Sequence, residues 1–414
     1  MIKLQISDRE QLKTDYLLAI KPQVLEDLKQ LKTTISHLQN ASMININEHS
    51  RRIAANALVI KETFDIKGLG EKPFIKKNYI ASALMIENAP NKDAIANLSN
   101  VSNILDHLLT DKNALDELLG GEADQLLGIN TSLLQKFSIK LDGELKILRL
   151  GFRYWDDNAA GKPIKTFFKD KELTQFCPYC NNEPAMYLEN SVNKQHVYRF
   201  DLDHFYDKAR HPMLATSIFN LVPSGQNCNQ VNKGTTEFTD QYHMNPYLDG
   251  FRRDLVFVPI MDPLNIEVKE IKLEIKTGVH ISREEKIMGT GPDNVERLGN
   301  ANAFQLKSKY NLPEVRRVAG LLLENIRSTI NHLKSLEGLL GSADHINHHN
   351  NIKLWFERVS YTHFYQKDFG NSAKSKLNRD LLDHYCSSLN LSENLYARVS
   401  EILEESYLDN FGGE

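Results

Sequence analysis

Hydrophobic positions recur at helical spacing through most of residues 1–150. A candidate capping box at Ser7 and Glu10 precedes apolar residues that repeat every three or four positions. Pro22 falls inside this pattern and predicts that the helix breaks or restarts there. A second stripe, on residues 94–109, consists of Ile95, Leu98, Val101, Ile104, Leu105 and Leu108. Such stripes normally face a protein's own core, so we predict a helical N-terminal domain over residues 1–150.

The pattern changes twice after residue 150. Residues 151–175 mix glycine, proline, aromatic residues and lysines, which indicates a linker or basic loop. The stretches LVFVPI and NIEVKEIKLEIKT are rich in β-branched residues and predict strands, and a helical pattern resumes at Pro313. The fold class is therefore predicted as α+β, with a central unit over residues 176–240 and a strand-then-helix region over 241–414.

Composition limits the class of protein. The chain has 414 residues, 41% hydrophobic and 25% charged, which is typical of a soluble protein with two or three domains. No apolar run approaches the ~20 residues that span a membrane, and the N-terminus lacks the features of a signal peptide. We expect a cytoplasmic protein with no membrane partner. The net charge of −4 argues against a dedicated DNA-coating protein, so binding to nucleic acid would need a local basic patch.

The central unit has the residue order of a small ββα motif. VYRFDLDHF predicts a strand that ends at Asp203 and His204, and SIFNLV predicts a second strand. Ser224 can cap the short helix QNCNQVNK, and Gly234 suits its C-terminal end. A unit this small has little core of its own, so a bound metal would stabilise it.

The polar residues of this unit suit phosphodiester hydrolysis. His204 is the natural base for activating water, while Asp203 and Asn229 offer oxygen ligands for Mg²⁺ or Mn²⁺. Asn220 is placed to bridge back to the loop after His204 and hold the imidazole. Contacts to phosphate are predicted for three cations, namely Lys208, Arg210 and Lys233.

These residues, taken in order, resemble the HNH or His-Me finger endonucleases. The matching positions are Cys177, Cys180, Asp203, His204, Asn220, Leu221, Cys228, Asn229, Lys233 and Gly234. The resemblance implies that His204 is the general base, that Asp203 and Asn229 hold the catalytic metal, and that Asn220 is the structural middle residue. It also implies a nuclease that acts on nucleic acid, with DNA as the expected substrate.

The cysteine pattern departs from that family at one position. Family zinc sites use four cysteines, and Gly225 stands where the fourth would be. Cys177, Cys180 and Cys228 are therefore candidates for a structural Zn²⁺ site whose fourth ligand is unknown. His196 and His211 are the nearest histidines that can substitute for it.

A weaker resemblance extends beyond the central unit. The stretches QYHMNPYLDGFRRDLVF and NAFQLKSKYNLPEVRR are similar to the tails of HNH subunits that accompany ATPases in bacterial phage-defence pairs such as Septu. This resemblance implies an ATPase partner subunit. The chain lacks a Walker motif of its own, which fits that expectation.

Three alternatives stay open on the sequence. The motif does not separate DNA from RNA, so an RNA- or tRNA-cleaving effector fits equally well. A McrA-like restriction enzyme would read modified bases through a flanking domain. A non-catalytic scaffold would keep only the fold, and the joint presence of Asp203, His204 and Asn229 argues against it. The histidines near residues 344–349 are interpreted as a polar loop between helices.

Overall fold

The computed structural model describes ten segments of the chain: residues 1–42, 92–140, 142–154, 160–189, 196–198, 200–263, 267–291, 296–339, 370 and 373–388. These segments combine helices with small antiparallel sheets, which confirms the α+β class. Among the described residues, no helix combines the length and apolar character needed to cross a bilayer. The histidine-rich segment near residues 344–349 lies outside the described residues.

The chain forms two compact units, and both are discontinuous in sequence. The helical unit comprises Ile6–Glu172 and Leu202–Val222, and the cysteine unit comprises Met1–Gln5, Leu173–Asp201 and Pro223–Glu414. This division differs from the one predicted from the sequence, in which residues 176–240 formed one unit. The difference arises because residues 202–222 pack among the helices rather than with the cysteines.

The helical unit is built from amphipathic helices and short 3₁₀ turns. Its helices are α1 (Arg9–Ser42), α2 (Lys92–Thr110), α3 (Lys112–Gly120), α4 (Leu126–Lys136), α5 (Asp142–Leu148) and α6 (Gly161–Lys171). The stripe predicted on α2 is buried at Leu98, Val101, Ile104, Leu105 and Leu108. It packs against α1, as the core interpretation expects.

Helix α1 corrects two details of the sequence interpretation. It is continuous from Arg9 to Ser42 and passes through Pro22, so the predicted break is wrong. A buried stripe on both sides of the proline, which includes Ile20 and Val24, outweighs the lost hydrogen bond. The helix is also capped by Asp8 rather than Ser7, because the Asp8 carboxylate accepts a hydrogen bond from the Gln11 amide at 2.8 Å.

The predicted linker at 151–175 is wrong, because much of it is helix α6. Ile164, Phe167 and Phe168 are buried at helical spacing, and both phenylalanine rings pack edge-on against Tyr16. Glycine and proline suggested a loop, but Pro163 lies in the first turn of α6, where no backbone N–H is needed.

The cysteine unit combines short strands with helices. Its helices are α7 (Ile281–Ile287), α8 (Asn300–Ala303), α9 (Leu306–Tyr310), α10 (Pro313–Leu339) and α11 (Ser375–Ser388). Its strands pair two by two: β1 (Leu188–Glu189) with β2 (His196–Tyr198), β5 (Leu255–Met261) with β6 (Val268–Ile275), and β7 (Gly289–Thr290) with β8 (Arg297–Leu298). The hairpin β5–β6 and the start of α10 at Pro313 confirm the strand and helix predictions for this region.

The chain passes between the two units within β3 (Asp201–His204) and β4 (Leu221–Ser224), which pair with each other. The second predicted strand, SIFNLV, begins later than expected, because Ile218–Asn220 forms a 3₁₀ turn before β4. The predicted short helix is a π-helix over Asn227–Lys233, and it ends at Gly234 with the expected positive φ of 50°.

Candidate functional site

Three cysteine side chains converge in the cysteine unit. The sulphur atoms of Cys177, Cys180 and Cys228 all lie within 4.8 Å of one another, and all three residues are buried. The first two flank a tight turn that Asn181 closes with a left-handed φ of 51°. The backbone N–H of Glu183 points at Cys180 Sγ from 3.4 Å, and the π-helix supplies Cys228. The cluster predicted from the sequence is thus formed, and its donor set suits a soft or borderline metal such as Zn²⁺.

The cluster stabilises negative charge on sulphur. Hydrogen bonds from the Cys177 and Cys228 thiols, helped by the positive charge of Lys309, hold the pKa of Cys180 well below its usual value. Burial raises the pKa of Cys177, while donation of hydrogen bonds to the other two sulphurs raises the pKa of Cys228. Burial opposes the charge on Lys309, but its interactions with the sulphurs of Cys228 and Cys180 and its hydrogen bond to Glu183 raise the pKa of Lys309 overall. A thiolate is the form of cysteine that binds metal.

Of the two histidines offered from the sequence as the fourth ligand, only His211 has a described side chain. His211 lies in the helical unit, where its Nδ1 is 3.4 Å from the Asn130 amide and its ring meets Tyr206 edge-on. The atoms that could share one ion with the cysteines do not include a His211 nitrogen, whose Nδ1 instead faces the Asn130 amide. The backbone of His196 lies on β2 opposite Glu189, and its side chain is outside the described residues.

His204 is held in one orientation at the end of β3. Its side chain is buried, and its Nε2 lies 3.0 Å from the carbonyl oxygen of Ala215. A carbonyl can only accept, so Nε2 must carry the hydrogen and Nδ1 carries the lone pair of the neutral ring. The ring also meets Tyr154 edge-on, with centroids 4.5 Å apart. The nitrogen that can take a proton is therefore Nδ1.

Asn220 ties together the loop that follows His204. Its Oδ1 accepts from the backbone N–H of Tyr206 at 2.7 Å. Its Nδ2 donates to the carbonyls of Tyr206 at 3.2 Å and Leu214 at 2.8 Å. The side chain is fully buried. The bridge expected from the sequence is present, and Leu214 immediately precedes the residue whose carbonyl orients His204.

The two oxygen ligands expected for a hard cation lie on different elements. Asp203 is buried on β3, next to His204, and Asn229 is half-buried on the π-helix. The Asn229 Nδ2 donates to Asp201 Oδ2 at 3.2 Å, and Gln230 donates to the same oxygen at 2.7 Å. This hydrogen bond uses the amide nitrogen of Asn229. It does not use the amide oxygen, which is the atom that a metal ion would bind. Their joint role as metal ligands stays a prediction.

The three predicted phosphate contacts differ in exposure. Arg210 is exposed, and Lys208 is half-buried with its ammonium 5.5 Å from the centroid of the Tyr154 ring. Lys233 is only 4% exposed and lies 5.1 Å from the centroid of the Phe238 ring. Its burial does not favour contact with a phosphate backbone, whereas the other two cations remain candidates.

Comparison with known proteins gives a partial similarity to a phage protein. Residues of this chain are 24% identical to protein Ea31 of Escherichia phage lambda over 212 residues. The match covers 48% of this chain and 65% of Ea31, so the chain spans less than two thirds of that protein. No family model matches the chain, and no solved structure matches it. An identity this low over part of both chains does not assign a family.

Three residues near these sites were missed in the sequence. Glu183 follows Cys180 by three residues and is in contact with Cys228, with 3.7 Å between Oε1 and Sγ. Its position beside a Cys-x-x-Cys turn was a usable signal. Lys309, which donates to Cys228 Sγ at 3.0 Å, is 81 residues away in sequence and gave no signal. Tyr154 lay in the stretch interpreted as a linker.

Proposed function

We propose that this protein is a metal-dependent endonuclease of the HNH type that hydrolyses phosphodiester bonds, with DNA as the expected substrate. The observation that carries the proposal is the fixed orientation of His204, whose Nε2–H is directed at the Ala215 carbonyl. A general base must present its lone pair in one direction, and this bond leaves Nδ1 as the nitrogen that would take the proton.

The surroundings of His204 support the same assignment. Asn220 makes three hydrogen bonds to the backbone that carries Leu214 and Tyr206, and these keep the 204–215 loop at one geometry. Tyr154 packs edge-on against the imidazole and restricts its rotation. Precise positioning of a base matters, because small misplacements cost large factors in rate.

The proposed reaction is attack of water on phosphorus. His204 Nδ1 takes a proton from the water, the new P–O bond forms, and the bond to the leaving oxygen breaks as that oxygen gains a proton from solvent. A bound Mg²⁺ or Mn²⁺ would supply the positive charge that the phosphate and the leaving oxygen require. The motif assigns Asp203 and Asn229 to that cation, and oxygen donors suit a hard ion.

The first experiment measures cleavage by purified full-length protein. Supercoiled plasmid, linear duplex DNA, single-stranded RNA and tRNA are incubated with Mg²⁺ or Mn²⁺, and with EDTA. We expect metal-dependent cleavage of DNA, and replacing His204 by alanine should lower the rate at least ~10²-fold, because the base is lost. His280→Ala is the matched control, since His280 is exposed and caps α7 in the cysteine unit.

The outcomes separate the alternatives. Cleavage of RNA alone would replace the DNA substrate by RNA, and cleavage confined to methylated plasmid would favour a restriction enzyme that reads modified bases. Full activity of His204→Ala, or activity in EDTA, would contradict the proposal. Absence of cleavage on every substrate would favour the scaffolding alternative for the isolated chain. Restoration of cleavage by an ATPase subunit would then support the partner that the weaker resemblance implies.

A further inference from the structure

The space beside Gly225 is filled by another side chain. A Cβ atom built on Gly225 would lie 2.4 Å from Glu183 Oε2 and 2.7 Å from Glu183 Cβ. These separations are far inside van der Waals contact, so a side chain at position 225 and the present Glu183 exclude each other. The carboxylate of Glu183 therefore occupies the place from which a fourth cysteine would approach the cluster.

Glu183 is tied to the cluster on two sides. Its backbone N–H points at Cys180 Sγ from 3.4 Å, and its Oε1 lies 3.7 Å from Cys228 Sγ. A tetrahedral Zn²⁺ accepts thiolate and carboxylate ligands together. The three sulphurs supply three ligands, and Glu183 places a carboxylate on the Cys228 side of the cluster.

Lys309 provides the balancing charge. Its ammonium contacts Glu183 Oε1 at 2.5 Å and Cys228 Sγ at 3.0 Å, and its side chain is only 15% exposed. Tyr310, the next residue on α9, donates its hydroxyl to the Cys180 carbonyl at 2.7 Å, which fixes this helix against the cysteine turn. A site with four anionic ligands keeps excess negative charge after it binds a divalent ion, and burying such charge is costly unless it is paired.

We propose that Glu183 is the fourth ligand of a Zn²⁺-type ion held by Cys177, Cys180 and Cys228, and that Lys309 donates to the Cys228 thiolate and the Glu183 carboxylate. The assignment is independent of the nuclease proposal, because it rests on the cysteine unit alone. The rival arrangement has no metal, with the Lys309–Glu183 pair as a salt bridge beside three neutral thiols.

The test measures metal binding rather than cleavage. Full-length protein produced with zinc supplementation is analysed for metal content by mass spectrometry. Its zinc affinity is measured by competition with a chromophoric chelator. Substitution by Co²⁺ then reports the number of bound thiolates through the intensity of the sulphur-to-cobalt charge-transfer band. We expect one zinc per chain and a band that corresponds to three sulphurs.

Two variants of Glu183, each with a control, test its role. Glu183→Gln should weaken zinc binding at least ~10-fold and alter the cobalt spectrum, while Glu314→Gln, an exposed acidic residue on α10, should do neither. The double variant Glu183→Ala with Gly225→Cys should regain tight binding and show a four-sulphur band, because the cysteine enters the space that the carboxylate leaves. Gly225→Cys alone should bind less tightly than the double variant.

Each outcome decides the proposal. Wild-type protein that neither retains zinc nor takes up Zn²⁺ or Co²⁺ would establish the metal-free salt bridge and overturn it. Unchanged affinity and an unchanged cobalt spectrum in Glu183→Gln would assign the fourth position to water or another residue.

A further pair of variants tests Lys309. Lys309→Gln should lower zinc affinity while keeping the three-sulphur band, and the same change at its exposed neighbour, Lys307→Gln, is the control. Loss of a sulphur from that band would contradict the role given to Lys309. None of these readouts depends on whether the protein cuts DNA.

Discussion

At the scale of single residues, the most constrained polar group near His204 is the amide of Asn220. It is fully buried and serves three backbone groups at 2.7, 2.8 and 3.2 Å. A buried amide that makes this many bonds is expensive to replace, because each lost bond costs ~1 kcal/mol and alanine also leaves a small cavity. The conformation of the loop between β3 and β4 therefore depends on the side chain of Asn220.

Asn220→Ala should lower the free energy of unfolding by about 3 kcal/mol, the sum of three hydrogen bonds. Urea denaturation at pH 7 measures this loss. Asn113→Ala, at an exposed position in the first turn of α3, serves as the control and should change stability by less than ~0.5 kcal/mol. Equal effects of the two substitutions would show that the three bonds contribute nothing net.

The site residues that could be predicted from the sequence lie close to one another along the chain, whereas Lys309 lies far from its partner. Asp203 with His204 and Cys177 with Cys180 are neighbours in sequence, so their spacing was visible. Asn220 was found because it lies on the return segment of the same motif. Lys309 reaches Cys228 only because α9 packs against the cysteine turn. That packing depends on tertiary contacts over more than a hundred residues, which no local pattern encodes.

At the scale of elements, burial overrides local propensity twice. Helix α1 runs through Pro22 because Tyr16, Ile20, Val24 and Leu28 form one fully buried stripe. Helix α6 forms within a segment that contains glycine and proline because its aromatic face is covered. In both cases the spacing of hydrophobic residues indicates the helix correctly. A single glycine or proline is a weaker signal, and it led to the wrong prediction of a break at Pro22 and a linker at 151–175.

Pro22→Ala should stabilise the protein by about 1 kcal/mol. Pro22 is exposed in α1, so alanine adds no clash, supplies the missing backbone N–H and removes the ring from the preceding turn. The gain is smaller than the ~3 kcal/mol propensity difference, because proline also restricts the unfolded chain. Thermal and urea unfolding measure the change, and a decrease in stability would indicate that α1 is adapted to a kink at this position.

At the scale of the whole molecule, the stability should depend on pH through His243 of the cysteine unit. Its Nδ1 accepts from the Thr239 amide at 3.2 Å, and its Nε2 lies 3.2 Å from the Leu298 carbonyl, so the fold requires the neutral ring. Burial, reinforced by the nearby charges of Arg297 and Lys233, lowers the pKa of His243 from 6.5 to about 4. A second proton on the ring would place a hydrogen on Nδ1, opposite the backbone N–H of Thr239, and the hydrogen bond between them would be lost.

As the pH falls, His243 is protonated in the unfolded chain at a higher pH than in the folded protein. The contribution of the neutral His243 to the free energy of unfolding is therefore fully present above pH 6.5 and is lost as the pH falls towards 4. Between pH 7.5 and pH 5 the loss should be about 2 kcal/mol. The measurement is urea denaturation across this range for wild type and His243→Gln, which cannot titrate. His280→Gln should keep the wild-type slope, and a His243→Gln slope equal to wild type would contradict the assignment.

The interlaced path of the chain has a consequence for protein synthesis. Met1, Ile2 and Leu4 are buried in the cysteine unit, where Leu4 binds the Pro246 carbonyl and the Met1 carbonyl binds the Phe251 amide. These partners leave the ribosome roughly 10 to 50 s after the N-terminal residues, at translation rates of about 5–20 residues per second. Throughout that interval the first few apolar residues have no native place to bind. The helical unit, whose last segment ends at Val222, can complete its own core earlier. Residues 1–4 can thus be placed only after residues 246–251 have been made, and they stay within reach of chaperones while the intervening chain is translated.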